Sequence, residues 1–356
     1  MSEKVKVGIV GAGGIGMIHA ASLRKVPGIE VAALCDVLPD RLKAGGAAIG
    51  CTNLYADYRK LVAQADLDAV FVCTPNYMHH DITIAALKAG KHVMCEKPMA
   101  MNAGQAREMV AAARSARKLL QLGMAWRQAA ESELLKGMIE DGYFGEIYHL
   151  RLNLRRRRGI PGLGGWFTTK AQSGGGCLID IGVHFFDLVM WLSDNWAPER
   201  ISAATYNQFG GRMKGYTFLD MWAGPPKYDG VCDVDDYATG FVRFKKCTLS
   251  FDLSWAANVK PENWVEIIGD KAGVRAFGDG PLTILTEESG RLLDVSPQHG
   301  KSNLYDDQDR KFIAAVQRGK PTGATGEQGL ALMRVLDGIY KSAREGKEII
   351  VGKSEK

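Results

Sequence analysis

The chain has 356 residues, 46% of them apolar and 24% charged, which excludes wholesale disorder and, at about 150 residues per domain, predicts two or three domains. Its 45 Lys and Arg against 40 Asp and Glu leave a net charge of +5, spread too thinly to call for a nucleic-acid or membrane partner. Seven cysteines, from Cys35 to Cys247, show neither a CxxC pair nor a metal-like spacing, so buried thiols in a reducing compartment, the cytosol, and no metal site are expected.

The start, Met1-Ser2-Glu3-Lys4-Val5-Lys6, runs into a short apolar segment ended by glycines, unlike a signal peptide. No stretch nears the roughly 20 apolar residues that would span a bilayer. Residues 5–10 are β-branched and predict a strand, closed at once by Gly11-Ala12-Gly13-Gly14-Ile15-Gly16; helical periodicity follows through His19, Ala20, Leu23 and Arg24. Residues 29–35 predict a second strand with Asp36 at its carboxyl end. After another helix, Ala69–Cys73 reads as a buried strand closed by Thr74-Pro75-Asn76. A helix over 78–89 ends at Gly90, and the strand Lys91–Cys95 stops at Glu96-Lys97-Pro98. A helix over 103–117 and a strand over 119–123 complete the series. Nearly continuous apolar strands separated by helices predict a parallel sheet covered on both faces, a doubly wound α/β domain over residues 1–124.

From residue 125 the rhythm changes, and 125–356 is expected to form a second, α+β domain. A helix over 130–141 precedes Ile147–Arg155, where Leu150, Leu152 and Leu154 alternate with Arg151, Asn153 and Arg155. Further alternating runs lie at 200–208, 237–244, 248–256, 263–268, 273–277 and 282–286. Helices are expected over 178–193, 304–318 and 327–345. The second domain therefore reads as an open, mainly antiparallel sheet with helices on one face.

Gly11, Gly13 and Gly16 fit G-x-G-x-x-G between a strand and a helix. The first glycine serves the tight turn, the second the approach of backbone to a pyrophosphate and the third helix–strand packing; Gly14 and Ile15 open the helix whose N-terminus would face the anion. Asp36 lies twenty residues past Gly16, where a carboxylate accepts the ribose hydroxyls of NAD and repels the extra phosphate of NADP. Its alternative role is a helix cap. Arg41 lies near enough in sequence to soften that repulsion, so NAD is favoured over NADP.

The carboxyl ends of the strands carry Asp36, Thr74-Pro75-Asn76, Glu96-Lys97-Pro98 and Met124-Ala125-Trp126-Arg127, the edge at which open α/β sheets bind ligands. Lys97, in a dry cleft beside a cationic nicotinamide, would lose proton affinity and suit proton shuttling; taken alone it reads instead as a surface lysine capping a helix. In the second domain Ser173-Gly174-Gly175-Gly176 forms a flexible entry to a helix carrying Asp180 and His184 at i and i+4, on one face. His184 could take a hydroxyl proton and Asp180 bind another hydroxyl, or the two could be a buried structural pair. Asp187 reads as structural.

Together these features resemble the Gfo/Idh/MocA family, the glucose–fructose oxidoreductase and inositol dehydrogenase group. The resemblance rests on Val7–Gly16 with Asp36, Cys73-Thr74-Pro75-Asn76 with His79, Lys91–Pro98, and Gly174–His184. It implies that Lys97 is the catalytic lysine, Asp180 a substrate-hydroxyl ligand and His184 the acid/base. It also implies a Rossmann domain holding NAD(P), a sugar, cyclitol or glycoside whose ring carbinol is oxidised, and a homodimer or homotetramer built through the open sheet. Thr74, Pro75, Asn76, His79 and Glu96 are then expected beside the cofactor, with a helix cap as the alternative for His79. Trp126, Arg127, Arg155 and Trp166 are expected on the substrate side.

The sequence departs from the commoner pattern in three places. Arg155–Thr168 contains Arg-Gly-Ile-Pro and an aromatic, Trp166, that could stack on a sugar ring. Residues 210–235, with Tyr216, Trp222 and Tyr228, form a longer loop, and Lys246-Cys247 stands where an Asn-Gly hairpin turn is usual. The function expected is NAD-dependent oxidoreduction of a sugar-like carbinol. The alternatives are an NAD-dependent glycosidase working by transient oxidation and elimination, and a nucleotide-sensing regulator without catalysis.

Overall fold

The computed structural model describes residues 4–351 other than Leu219 and Asp279. The chain forms two compact units, one running to Gln128 and taking in Ser302–Met333, the other comprising Ala129–Lys301 and the residues from Arg334 onward. The division expected from sequence assigns all of 125–356 to the second domain, whereas the chain returns to the first unit after Ser302. The returning segment is apolar where it meets the first core: Phe312 and Ile313 are buried there, and Phe312 meets Phe71 edge-on at 5.3 Å.

In the first unit the strands are β1 (Val5–Val10), β2 (Ile29–Cys35), β3 (Leu54–Tyr55), β4 (Ala69–Val72), β5 (His92–Cys95) and β6 (Leu120–Leu122). Between them run α1 (Gly14–Leu23), α2 (Pro39–Ile49), α3 (Tyr58–Val62), α4 (His79–Lys88) and α5 (Ala103–Ala116). Polar side chains start two of these helices: Asp57 accepts from the Arg59 N–H at 2.9 Å and Asn102 from the Gln105 N–H at 3.0 Å. β4 is buried at every position and β1 at all but Lys6, as central strands of a two-faced sheet must be. β3 and α3 escaped sequence reading because two and five residues carry too little periodicity.

The second unit holds α6 (Ala130–Glu140), β7 (Ile147–Arg155), α7 (Lys170–Ser173), α8 (Val183–Ser193), β8 (Pro198–Tyr206), β9 (Tyr237–Phe244), β10 (Thr248–Ser254), β11 (Glu262–Gly269), β12 (Ala272–Ala276), β13 (Thr283–Glu288) and β14 (Arg291–Val295). The chain ends through α9 (Leu304–Arg318) and β15 (Ala324–Thr325) in the first unit, α10 (Gly326–Glu345), and β16 (Ile349–Ile350) in the second. The first sheet has the order β15-β6-β5-β4-β1-β2-β3, parallel except for β15. This is the doubly wound arrangement read from sequence.

The second sheet has the order β14-β13-β12-β11-β7-β10-β9-β8-β16 and is mainly antiparallel, with β7 and β10 paired in parallel. On β7, Leu150, Leu152 and Leu154 are buried while Arg151 and Arg155 project from the other face to Glu266 and Glu262. α8 covers the leucine face: Phe186 meets Phe251 of β10 at 5.1 Å, and Phe251 and Leu253 stand beside Leu152 and Leu154. The β9–β10 hairpin closes with a 2.9 Å hydrogen bond from the Phe244 N–H to the Cys247 carbonyl. Lys245 and Lys246 turn it without a positive φ, so it is not the left-handed turn that Asn-Gly makes.

Taken together, Lys170–Ser193 has the length and apolar composition of a membrane-crossing helix, but Gly174–Gly176 interrupt it and most of its apolar window is buried inside the protein, as in a core helix.

Candidate active site

The loop after β1 is shaped by contacts that only hydrogen fits. Gly11 has φ +103°, and a Cβ there would lie 2.4 Å from the Cys73 carbonyl oxygen; one on Gly16 would lie 1.9 Å from the Gly11 oxygen. At Gly14, by contrast, nothing lies within 4 Å, and α1 begins there behind Gly13 with no side-chain cap. The first-turn N–H groups of α1 are thus left to an anion. Ile15, half-buried, follows on the same turn.

Asp36 is buried and fastened to this loop. Its Oδ2 accepts the Ala12 N–H and its Oδ1 the Leu38 N–H, both at 2.9 Å. A carboxylate has about four acceptor sites, so hydroxyl donors can still be taken. Arg41 stands 3.8 Å from Oδ2, with the same guanidinium 3.9 Å from the Cβ position of Gly13. Asp36 therefore acts on the loop itself, and it does not cap α2, whose N-terminus carries Leu38.

The ends of β4 and β5 are tied by His79. Its Nδ1 lies 2.7 Å from the Pro98 carbonyl and its Nε2 2.9 Å from the Thr74 carbonyl. Burial holds this imidazole below its ordinary pKa, and a neutral ring with one N–H donates to one of these carbonyls at a time. Thr74 Oγ1 is buried beside them with no hydrogen-bond partner among the described residues. An orphaned hydroxyl, an uncapped helix and a glycine cradle at one sheet edge fit a dinucleotide. Pro75 and Asn76 continue the same loop, with Asn76 buried.

Lys97 is half-buried at the end of β5, its peptide N–H donating to Glu96 Oε2 at 3.2 Å. Glu96 is buried, and its Oε1 meets His19 Nε2 at 3.0 Å; His19 Nδ1 in turn meets Asp309 at 2.8 and 3.0 Å. Burial opposes charge on this ring, but the Asp309 charge and hydrogen bond, joined by those of Glu96, lift its pKa to about 10. Neither His19 nor Asp309 was singled out from sequence, since 290 residues separate them and no motif links the two. Past β6, Trp126 is half-buried, and the buried Arg127 gives one guanidinium nitrogen to Gln328 Oε1 at 2.8 Å.

In the second unit Asp180 and His184 are both half-buried. They do not ride a regular α-helix. Leu178–Gly182 is a π-helical turn that runs into α8, the kind of local widening common at functional sites. Asp180 Oδ2 accepts the Trp255 indole N–H at 3.1 Å. Asp187 is buried, as its structural reading requires.

The glycines before this turn are packed tightly, contrary to the flexible entry read from sequence. A Cβ on Gly175 would lie 1.9 Å from the Tyr340 hydroxyl, and one on Gly176 1.8 Å from the Asp235 carbonyl. This closeness lets buried Asp235 serve four donors. Its Oδ1 takes the Gly176 N–H (2.8 Å) and the Tyr340 hydroxyl (2.7 Å), and its Oδ2 the Leu178 N–H (3.0 Å) and the Cys177 thiol (3.2 Å). Asp235, just before β9, and Trp255, just after β10, thus brace the turn that carries Asp180 from far along the chain.

Two expected substrate-side residues part company here. Arg155 lies on the sheet face opposite α8, its guanidinium 2.6 Å from Glu262, because strand alternation turns it away from Leu154. Trp166 instead joins an aromatic cluster in the loop, tilted against Phe167 with ring centroids 3.8 Å apart, and Phe167 meets Trp222 at 5.0 Å. The seven cysteines are free thiols, and burial pushes those of Cys73 and Cys95 up, to about 12 for Cys95.

Comparison with known proteins bears on both units. Residues 5–124 match the oxidoreductase family model with an NAD-binding Rossmann fold, and residues 133–275 match the GFO/IDH/MocA C-terminal domain. The chain is 32% identical to the D-glucoside 3-dehydrogenase of Escherichia coli over 98% of both chains. It is 27% identical to the myo-inositol 2-dehydrogenase of Thermotoga maritima over 97% of this chain and 98% of that one. A structure of levoglucosan dehydrogenase in complex with NADH superposes with a TM-score of 0.84, covering 98% of this chain and all of the other at 21% identity, which shows a common fold.

Proposed function

The chain belongs to the Gfo/Idh/MocA family of NAD-binding oxidoreductases, and on that footing we propose that it oxidises a secondary ring hydroxyl of a glycoside or cyclitol. The observation that carries this reading is the acid/base set itself: a lysine at the carboxyl end of β5, a half-buried carboxylate on the turn before α8 and a half-buried imidazole in the first turn of α8. A merely nucleotide-sensing protein needs no such set. The name of the Escherichia coli relative makes the C3 hydroxyl of a glucoside the first candidate.

In this mechanism bound NAD supplies the hydride acceptor. His184 takes the proton of the reacting hydroxyl as the carbinol hydrogen leaves with its electron pair, and Lys97 holds the oxygen through the proton transfer. Asp180, fixed by the Trp255 indole, accepts a neighbouring hydroxyl and sets which carbon faces the acceptor. The Gly11–Gly16 loop and the α1 N-terminus would hold the pyrophosphate, and Asp36 the adenosine ribose, favouring NAD over NADP. The Trp166–Phe167–Trp222 cluster offers aromatic faces for a sugar.

The reading includes a cytosolic setting, supported by seven free thiols of the kind kept reduced there, and a homodimer or homotetramer. Exposed Tyr148, Tyr206 and Phe241 on the larger sheet support association there. The function is tested by incubating the protein with NAD or NADP and a panel of glucosides, aldoses and cyclitols while following the reduced cofactor. Net NADH with a keto product is expected. Aglycone released without net NADH, or no reduction with any compound, would overturn the reading.

A further inference from the structure

A buried ionic chain, Glu96–His19–Asp309, adjoins the Lys97 backbone. Glu96 is pinned on three sides: its Oε1 faces His19 Nε2 at 3.0 Å, its Oε2 accepts the Lys97 peptide N–H at 3.2 Å, and Gly123 packs against it so closely that a Cβ there would lie 2.2 Å from Oε1. His19 comes from α1 and Asp309 from α9, so the carboxylate is held by the cofactor-loop helix and by a helix nearly 290 residues later.

We propose that His19 and Asp309 are positioning residues for Lys97: the Asp309–His19 pair clamps the Glu96 carboxylate, which fixes the backbone from which Lys97 projects. This rests on the reading that Lys97 handles the proton. To donate to both carboxylates the imidazole must carry hydrogen on both nitrogens. Asp309 with Glu96 overcomes burial to keep it so, with a pKa of about 10. The groups facing the cluster are Asp309 and Tyr305 from α9, Glu96 from the end of β5 and Cys73 from the end of β4. Burial pushes Tyr305 to about 12 and Cys73 well above its ordinary value, so neither ionises in the working range.

Asp309→Asn tests the clamp because it keeps the shape and an acceptor for Nδ1–H while removing the charge. Removing that charge lowers the ring's pKa toward its ordinary value of about 6.5, and a neutral ring has a single N–H, so it can no longer donate to Glu96 and to the residue on α9 together. The variant is expected to bind NAD with unchanged affinity but to lose kcat by about tenfold as pH rises through that new step, absent from the wild type. Competitive acetylation of Lys97, read by mass spectrometry, should change with the same midpoint. The labelling needs no turnover, so it decides the clamp even if no substrate in the panel reacts. In the wild-type protein, ¹⁵N-histidine spectra should show His19 protonated on both nitrogens at neutral pH, which covers a variant that fails to fold. Identical pH profiles of kcat and of Lys97 labelling in variant and wild type, or a neutral His19 ring, would overturn the proposal.

Discussion

The candidate residues of the two units are held by different means. Around Gly11–Gly16, geometry is set by backbone: glycines abut carbonyl oxygens, Asp36 takes two peptide N–H groups, and the uncapped end of α1 needs no side chain at all. Around Asp180–His184, geometry is set by side chains from elsewhere: Asp235 and Tyr340 brace the turn and Trp255 holds Asp180. A backbone-built site tolerates no added atom, whereas a side-chain-built site fails when one acceptor is lost.

The largest effect should follow from Gly16→Ala, which drives a methyl to 1.9 Å from the Gly11 oxygen. Overpacking of about 1–3 kcal/mol, concentrated on the loop, is expected to weaken NAD binding by roughly 10- to 100-fold in a calorimetric titration. Near-normal affinity would show that the loop is not backbone-set. On the other side, Asp235→Ala strips the acceptor from four donors. About 2–3 kcal/mol of stability should go, seen as a melting point lowered by about 4–10 °C. A melting point within a degree or so of wild type would mean that the turn is held otherwise.

Charge offers a third probe. His19 has a folded pKa of about 10 against about 6.5 when free, so its contribution to stability is complete below about pH 6.5 and fades as pH rises toward 10, by at most about 1.4 kcal/mol per pH unit. Melting points across that window should fall more steeply for the wild type than for Asp309→Asn; parallel curves would remove His19 from the account. The smallest effect concerns cofactor choice. Asp36→Asn keeps an acceptor for the Ala12 N–H but drops the charge, and the NAD-to-NADP preference should narrow by about tenfold, or about 1.4 kcal/mol. An unchanged ratio would give the discrimination to other residues.

This contrast also explains what could be read in advance. Gly11, Gly13, Gly16 and Asp36 sit within one βαβ unit, where spacing along the chain is spacing in the fold, and β1, β2, β4 and β5 announce themselves by apolar runs. Asp180 and His184 were visible as a pair on one helix. Their supports were not, because Asp235, Trp255 and Tyr340 lie 55 to 160 residues onward and carry no motif. The same holds for His19 and Asp309. The alternation that placed Arg155 on a strand left open which face looked at α8, so its pairing with Glu262 on the opposite face could not be read in advance. The parallel β7–β10 pairing was hidden too, since local alternation does not encode the direction of a distant neighbour.

The central claim is that the first unit binds NAD and that His184 of the second takes the proton of the reacting hydroxyl. It is tested most directly by measuring, on one preparation of His184→Asn, both NAD affinity and the rate of cofactor reduction with a substrate the wild type accepts. The account expects affinity unchanged and reduction slowed by about 100-fold or more. Reduction at the wild-type rate, with NAD binding intact, would contradict it.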